Sequence, residues 1–294
     1  LARLSVGLQG VGIAERATQQ AIQYARDRKQ GRAPGASGSS AIIGHPDVKR
    51  MLITMRALTR AARAICYATA GAIDESHGGG DGAKAADARA ALLTPIAKAF
   101  STDIGIEVAS LGVQVHGGMG FIEETGAAQH LRDARIAAIY EGTNGIQAID
   151  LATRKVPLSG GGVVRAYLGE LRTTVKAVQA RNDPAFGATG ARLAEAVESL
   201  DRATTWLLSK VESAPQAALA GATPYLRLFG NAAGGCMLAD ESLAALRTGE
   251  GEPTSRIAIA RFFAENIAVQ ASGLERAVID GGESVNAADA ALTG

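Results

Sequence analysis

Apolar residues recur every three to four positions along most of the chain, a period that predicts helices and no strands. From Leu4 to about Asp27 the repeat runs through Leu4, Leu8, Val11, Ala14, Ala17, Ala21 and Tyr24. Gly7, Gly10 and Gly12 lie within it and are small enough to admit a neighbouring backbone. The Gly-, Ser- and Pro-rich stretch from Lys29 to Ser40 predicts an irregular surface loop. Two long helices follow, from about Pro46 to Ile73 and from about Ala83 to Val113, separated by the polar segment Ser76 to Gly82. Together they predict an antiparallel helical layer. The period then breaks at two turns, His116-Gly117-Gly118-Met119-Gly120 and Tyr140-Glu141-Gly142-Thr143-Asn144-Gly145. A helix from about Glu123 to Asp133 is predicted between them, and another continues to about Arg154.

After Pro157 the run Leu158-Ser159-Gly160-Gly161-Gly162 reads as a linker. The helical pattern then resets near Val163 to Gln179, Ala191 to Val211, Ala217 to Leu246 and Ser255 to Val278. We place a domain boundary there, giving residues 1–158 and 159–294 as two units. The fold class is therefore all-α: a helical bundle followed by a second helical domain. The second unit has no His, one Cys and a single Trp206, and reads as a structural appendage.

Composition narrows the picture. With 47 % hydrophobic but only 4 % aromatic residues, the core must be built from small aliphatic side chains, which suits closely packed helices. The net charge of +1, from 30 basic and 29 acidic residues, lacks the footprint that nucleic acid or an anionic membrane demands. No apolar run is long enough to span a bilayer, and no secretory signal opens the chain. Cys66 and Cys236 sit in apolar helical patterns and read as core filler in a reducing, cytoplasmic compartment. The chain opens at Leu1 inside a periodic segment, so we expect a fragment of something longer.

Few residues carry candidate chemistry. Glu141 lies between an apolar approach and a turn that opens a helix. Held in an apolar pocket, its carboxylate would be desolvated into the range useful for a general base. A first-turn acid interacting with the helix dipole accounts for the same residue, and spacing alone leaves both readings open. The run from Gln114 to Phe121 offers backbone amides free of side chains, suited to a pyrophosphate but common in turns. Arg28, in Ala25-Arg26-Asp27-Arg28-Lys29, could reach a phosphate or simply be solvated. No second His, Cys or carboxylate stands at metal-ligand spacing from His116, so it reads as a packing residue and no metal is assigned.

Taken in order, the Arg3 to Arg28 helix ending in Asp-Arg-Lys, Ile96-Ala97-Lys98-Ala99-Phe100, the Gln114 to Phe121 turn, Leu131-Arg132-Asp133-Ala134-Arg135-Ile136 and Ile139-Tyr140-Glu141-Gly142-Thr143 resemble the carboxyl-terminal helical domain of the acyl-CoA dehydrogenase family. The resemblance covers Leu1 to about Val156. Gln114 to Gly120, Gly145-Ile146-Gln147 and the extra helical region are most similar to the large members with an added C-terminal helical domain.

The resemblance implies an FAD enzyme that dehydrogenates an acyl-CoA thioester between Cα and Cβ. Glu141 would take the α-proton, with its own backbone N–H donating to the thioester carbonyl, while the β-hydrogen passes to flavin N5 as hydride. Gly142, Thr143 and Asn144 would approach the flavin. Arg28, Gln114, Gly117 and Gly118 would hold the FAD pyrophosphate of a neighbouring subunit, which implies a homo-oligomer, dimer or tetramer. Arg3 matches a position near the acyl-CoA pocket, and electron-transfer flavoprotein is the implied electron acceptor. The chain departs from the family pattern at Gln30-Gly31-Arg32 and at Gly145, where many members carry a flavin-contacting Gln. The family's amino-terminal and β domains are absent, so the isolated fragment is expected to be inactive. The alternatives are a catalytically silent helical oligomerisation module and a family member running a different flavin oxidation.

Overall fold

The computed structural model describes residues 1–293, and among them there is no strand. The first half contains α1 (Ala2–Asp27), α2 (Pro46–His77), α3 (Ala83–His116), the single-turn α4 (Gly118–Phe121), α5 (Ala127–Ala137) and α6 (Asn144–Asp150). Helices α1, α2 and α3 form one packed layer. The tightest crossing is between α1 and α3: a Cβ on Gly7 would lie 2.3 Å from the Ala97 carbonyl oxygen, and one on Gly10 would lie 2.5 Å from that of Ser101. Only glycine allows that approach, and it fixes the first turns of α1 against the middle of α3. Gly12 differs from expectation, since a Cβ there meets nothing within 4 Å.

The second half contains α7 (Gly162–Arg181), α8 (Thr189–Lys210), α9 (Pro215–Ala220), α10 (Ala222–Thr248), α11 (Pro253–Asn266) and α12 (Ala271–Ile279), closed by the short α13 (Gly281–Asn286) and α14 (Asp289–Leu292). Helix α10 is its centre, touching α7, α8, α11 and α12 of its own half and α2, α3 and α6 of the first. One hydrophobic cluster of mostly Ala, Leu, Ile and Val runs through both halves, as the composition implies.

Four details differ from the periodic reading. The run at 158–162 is a compact turn rather than a loose linker: Gly161 is buried, and a Cβ there would meet Leu208 at 2.7 Å. The predicted Ala217 to Leu246 helix divides at Gly221, where the backbone of Val278 approaches too closely for a side chain, and the predicted Ser255 to Val278 helix is interrupted by a 3-10 turn at Ala268–Gln270. Likewise Glu123–Thr125 forms a 3-10 turn that ends at the left-handed Gly126 before α5 begins. The Lys29 to Ser40 loop is largely exposed as expected, its base tied by an antiparallel bridge between Lys29 and Ala41.

Candidate functional site

Two clusters of sequence-predicted residues emerge, at different heights of the α1–α3 layer. The first is the turn between α5 and α6. Ile136 ends the last α5 bonds, accepting at its carbonyl from the N–H groups of Ile139 and Tyr140, and the chain then reverses through Glu141 at φ 57° and Gly142 at φ 83°. A left-handed Glu is unusual, because its Cβ crowds the following carbonyl, so surrounding contacts must hold it there. Three do. The Gln147 Nε2 donates to the carbonyls of Glu141 and Gly142, both at 3.3 Å, bracing the turn from within α6. The Thr143 hydroxyl caps α6 by accepting from the Ile146 N–H at 3.2 Å. The Tyr140 hydroxyl donates to the Gln9 side chain on α1.

Asn144 ties this turn to α3. Its Oδ1 accepts from Lys98 Nζ at 2.8 Å and from the Thr102 hydroxyl at 3.1 Å. Its Nδ2 lies within hydrogen-bond reach of the Asp103 carboxylate at 2.7 Å, the Thr102 hydroxyl at 2.9 Å and the Ala99 carbonyl at 3.2 Å. The side chain is thus committed to the protein, leaving only backbone at this position to face a cofactor. Arg3 is committed as well: its Nη1 donates to Gln147 Oε1 at 3.1 Å and to the buried Asp150 at 2.8 Å, while Arg154 pairs with the other Asp150 oxygen at 2.6 Å. In this structure Arg3 therefore braces the Glu141 turn through Gln147 rather than facing an open pocket.

The expected apolar enclosure of Glu141 is not found. Among the described residues nothing covers the turn, and Glu141 is exposed. What surrounds it is an uncovered apolar face bearing Ile139, Tyr140, Ile146 and Ile149, all more than a third exposed. Four part-exposed apolar side chains thus stand within eleven residues of one another around the turn. The backbone N–H of Glu141 makes no hydrogen bond within the described chain, so a donor stands free beside the carboxylate.

The second cluster joins Arg28 to the glycine turn. Helix α3 ends at His116, Gly117 takes φ 60°, and α4 starts at Gly118; a Cβ on either glycine meets nothing within 4 Å, so their amides stand clear of side chains. His116 is buried, bonded through Nδ1 to the Gly112 carbonyl oxygen at 2.7 Å and stacked on Tyr24 at 4.3 Å, a packing role. Gln114 is exposed in the last turn of α3. Arg28 lines a shallow recess with Gln23, Tyr24, Asp27 and Met119, and its guanidinium has no partner among the described residues. A free guanidinium lining a recess is a donor that an anionic group requires, whereas of the two glycine amides that of Gly117 is spent on the Gln114 carbonyl at 3.0 Å. From Thr102, beside Asn144, to Gly117 is fifteen residues of α3, about 22 Å at the helical rise.

Sequence reasoning missed Lys98, Gln147 and Asp150. Lys98 was legible in one respect, a lone cation in the apolar run Leu92 to Phe100. It is wholly buried, and burial pushes its ammonium below the usual lysine range, opposed by Asp103 and Glu141. Burial likewise pushes the Asp103 carboxyl up, opposed by the Asn144 hydrogen bond and then by Arg227, Lys98 and Arg135. No cluster of three or more His, Cys, Asp or Glu is arranged for a metal among the described residues, and no helix there is long and apolar enough to cross a membrane.

A helical layer closed by a Tyr-Glu-Gly-Thr turn and a second glycine turn defines a family. The family model described as acyl-CoA dehydrogenase, C-terminal domain, matches residues 1–156, and one described as acetyl-CoA dehydrogenase C-terminal like matches residues 167–289. The chain belongs to the acyl-CoA dehydrogenase family. It is 45 % identical over 292 residues to 3-methylmercaptopropionyl-CoA dehydrogenase of Ruegeria pomeroyi, covering 97 % of this chain and 50 % of that protein. To a butyryl-CoA dehydrogenase of Syntrophomonas wolfei it is 30 % identical, covering 90 % and 45 %. The fold matches that of an acyl-CoA dehydrogenase from Bacillus anthracis solved with FAD, at a TM-score of 0.75 and 20 % identity, over 99 % of this chain and 52 % of that one. The chain thus spans about half the length of the relatives it matches, and the similarity to large members that carry the added helical region is borne out.

Proposed function

We propose that this chain is the carboxyl-terminal helical part of an FAD-dependent acyl-CoA dehydrogenase, and that Glu141 removes the α-proton of the acyl thioester. The observation that carries the reading is the Glu141 turn: a carboxylate in a left-handed conformation, braced by Gln147 and Asn144, beside an uncovered apolar face and a free backbone N–H. When bound, FAD supplies the acceptor for the β-hydrogen as hydride. Glu141 contributes a positioned base, and covering the apolar face excludes water from it. Its free N–H is placed to donate to the thioester carbonyl, where negative charge develops as the proton leaves.

Arg28 and the Gly117-Gly118 turn fit an FAD pyrophosphate, Arg28 as a free cation lining the recess that Met119 also lines, and the turn as backbone without side chains beside it. Their distance from the Glu141 turn, about 22 Å along α3, exceeds the five-carbon ribityl arm that separates a flavin ring from its own pyrophosphate. That separation supports a site shared between subunits of a homo-oligomer, each chain serving the flavin ring of one cofactor and the pyrophosphate of another. We place the enzyme in the cytoplasm, with electron-transfer flavoprotein as electron acceptor. We also propose that this chain alone neither retains FAD nor turns over, because nothing among its described residues covers Glu141.

The test is anaerobic bleaching of the flavin in the whole natural protein by a panel of acyl-CoA thioesters, 3-methylmercaptopropionyl-CoA among them. The parent is expected to bleach, and Glu141→Gln to keep its FAD and fail to bleach. If both bind FAD and neither responds to any thioester, dehydrogenation is refuted and a silent helical module takes its place. If the variant bleaches like the parent, Glu141 is not the base.

A further inference from the structure

Arg56, Arg60 and Arg63 share one stripe of α2, and like charges spaced four and three residues apart repel along a helix. Arg256 joins them from the first turn of α11, an end where the helix dipole disfavours a cation. The four line a recess of about 320 Å³ between the two halves of the chain. Two carboxylates line it as well. Glu241, on α10, takes Arg60 and Arg256, each at 2.9 Å, and Glu15, on α1, takes Arg63 at 2.7 Å. Arg56 makes no ion pair or side-chain hydrogen bond among the described residues. Four guanidiniums against two carboxylates leave two positive charges in excess at one place, in a chain whose net charge is +1.

A solvated surface cluster does not account for them. The side chains of Arg60, Arg63 and Arg256 are only 23 %, 29 % and 29 % exposed, so each has given up most of its water. Their bonds spend only one or two of each guanidinium's N–H donors, and the rest need acceptors. Ion pairing does not explain the number either: one arginine for each carboxylate would suffice, and Glu241 holds two while Arg56 holds none. Tyr67 lines the same recess, 63 % exposed, and no arginine stands over its ring as Arg89 does over Tyr167 and Arg227 over Phe100.

We infer that this recess binds a phosphate-bearing small molecule, its oxygens received by Arg56, Arg60, Arg63 and Arg256. A phosphate offers several acceptor oxygens in a geometry that planar guanidiniums match in pairs, and no lysine lines the recess. Glu15 and Glu241 hold three of the guanidiniums in place before the ligand arrives, which lowers the cost of ordering them on binding. The lining comes from α1 and α2 of the first half and from α10 and α11 of the second, so the ligand ties the halves together. The recess shares no lining residue with the Arg28 recess or with the Glu141 turn, and the inference does not depend on the role of Glu141.

The test is isothermal titration of the whole FAD-loaded protein with inorganic pyrophosphate and, separately, with ADP; FAD loading keeps ADP out of the flavin site. Either ligand should bind the parent once per chain, more weakly as salt rises, and should raise the melting temperature, because a ligand of the folded state stabilises it. Arg56→Gln leaves every ion pair of the recess intact, and Arg60→Gln leaves Glu241 with Arg256. Each variant should keep its FAD and melt within a few degrees of the parent, yet bind about tenfold more weakly, the loss of a charge-assisted hydrogen bond. Equal affinity for the two ligands makes the phosphates alone the target; tighter binding of ADP, with the margin lost in Tyr67→Ala, makes the ligand a nucleotide whose base lies on that ring. Failure of both ligands to bind at millimolar concentration overturns the inference. Undiminished binding in both arginine variants also overturns it, since the anion then sits elsewhere. So does an Arg56→Gln protein that changes its subunit count in sedimentation without losing phosphate affinity, for the recess is then a contact between copies.

Discussion

Replacing Gly142 with alanine strikes the Glu141 turn at its narrowest point. The residue sits at φ 83°, which costs an L-amino acid about 1 kcal/mol. The added Cβ would lie 2.7 Å from Gln147 Nε2, and because that atom ends a flexible side chain, the amide moves rather than the backbone. Moving it breaks its two donations at 3.3 Å to the carbonyls of Glu141 and Gly142, together about 1 kcal/mol at that length, and unseats the Oε1 that receives Arg3. The expected loss is therefore about 2 kcal/mol in urea unfolding followed by circular dichroism. If Glu141 is the base proposed above, flavin bleaching should fall far more than stability, by about a hundredfold, because a base displaced by roughly 1 Å loses its approach to the substrate. Gly145→Ala is the control: its Cβ would meet nothing nearer than the Thr143 hydroxyl at 3.8 Å, and alanine favours the helix. The reasoning is refuted if Gly142→Ala unfolds within 0.5 kcal/mol of the parent, roughly the size of a neutral surface change, and bleaches at the parent rate.

Two further outcomes follow from packing and charge. Gly230→Ala, on α10, would drive a Cβ to 2.2 Å from the buried Phe100 ring; overpacking of about 1–3 kcal/mol should exceed the helix-propensity gain of about 1 kcal/mol, whereas Gly169→Ala on the open face of α7 should stabilise by roughly that gain. Opposite signs in urea midpoints confirm this, and a shared sign refutes it. For Asp103, burial raises the folded-state value above the unfolded one, so the folded state binds more protons and the group's contribution to stability declines as pH rises through the carboxylate range. Asp103→Asn, which can still accept from Asn144, should therefore gain on the parent as pH increases from about 4; a difference that shrinks with pH contradicts that sign.

Most of the architecture was readable because a helix writes its period into local sequence. The α1, α2 and α3 boundaries follow from apolar spacing and from the Gly- and Pro-rich stretches between them. The breaks that were not readable come from contacts remote in sequence: Gly221 interrupts its helix where the backbone of Val278 passes, and nothing local announces it. The same holds for the site. Glu141, Gly142 and Thr143 stand in one short motif, whereas their support comes from Arg3, 144 residues before Gln147, and from Lys98, 46 residues before Asn144. A glycine marks only a potential approach, so Gly7 and Gly10 met the α3 backbone and Gly12 did not. The enclosure expected around Glu141 was inferred from its apolar neighbours, but those side chains are themselves more than a third exposed.

The left-handed backbone at Glu141 places two kinds of selection in opposition at one codon. Glycine or asparagine would relax that conformation by about 1 kcal/mol, a gain in heat resistance for a single substitution, and either would leave no carboxylate at the tip of the turn. Lineages kept for robustness alone would drift towards those residues. If Glu141 is the base proposed above, its carboxylate is a chemical requirement met against the preference of the fold.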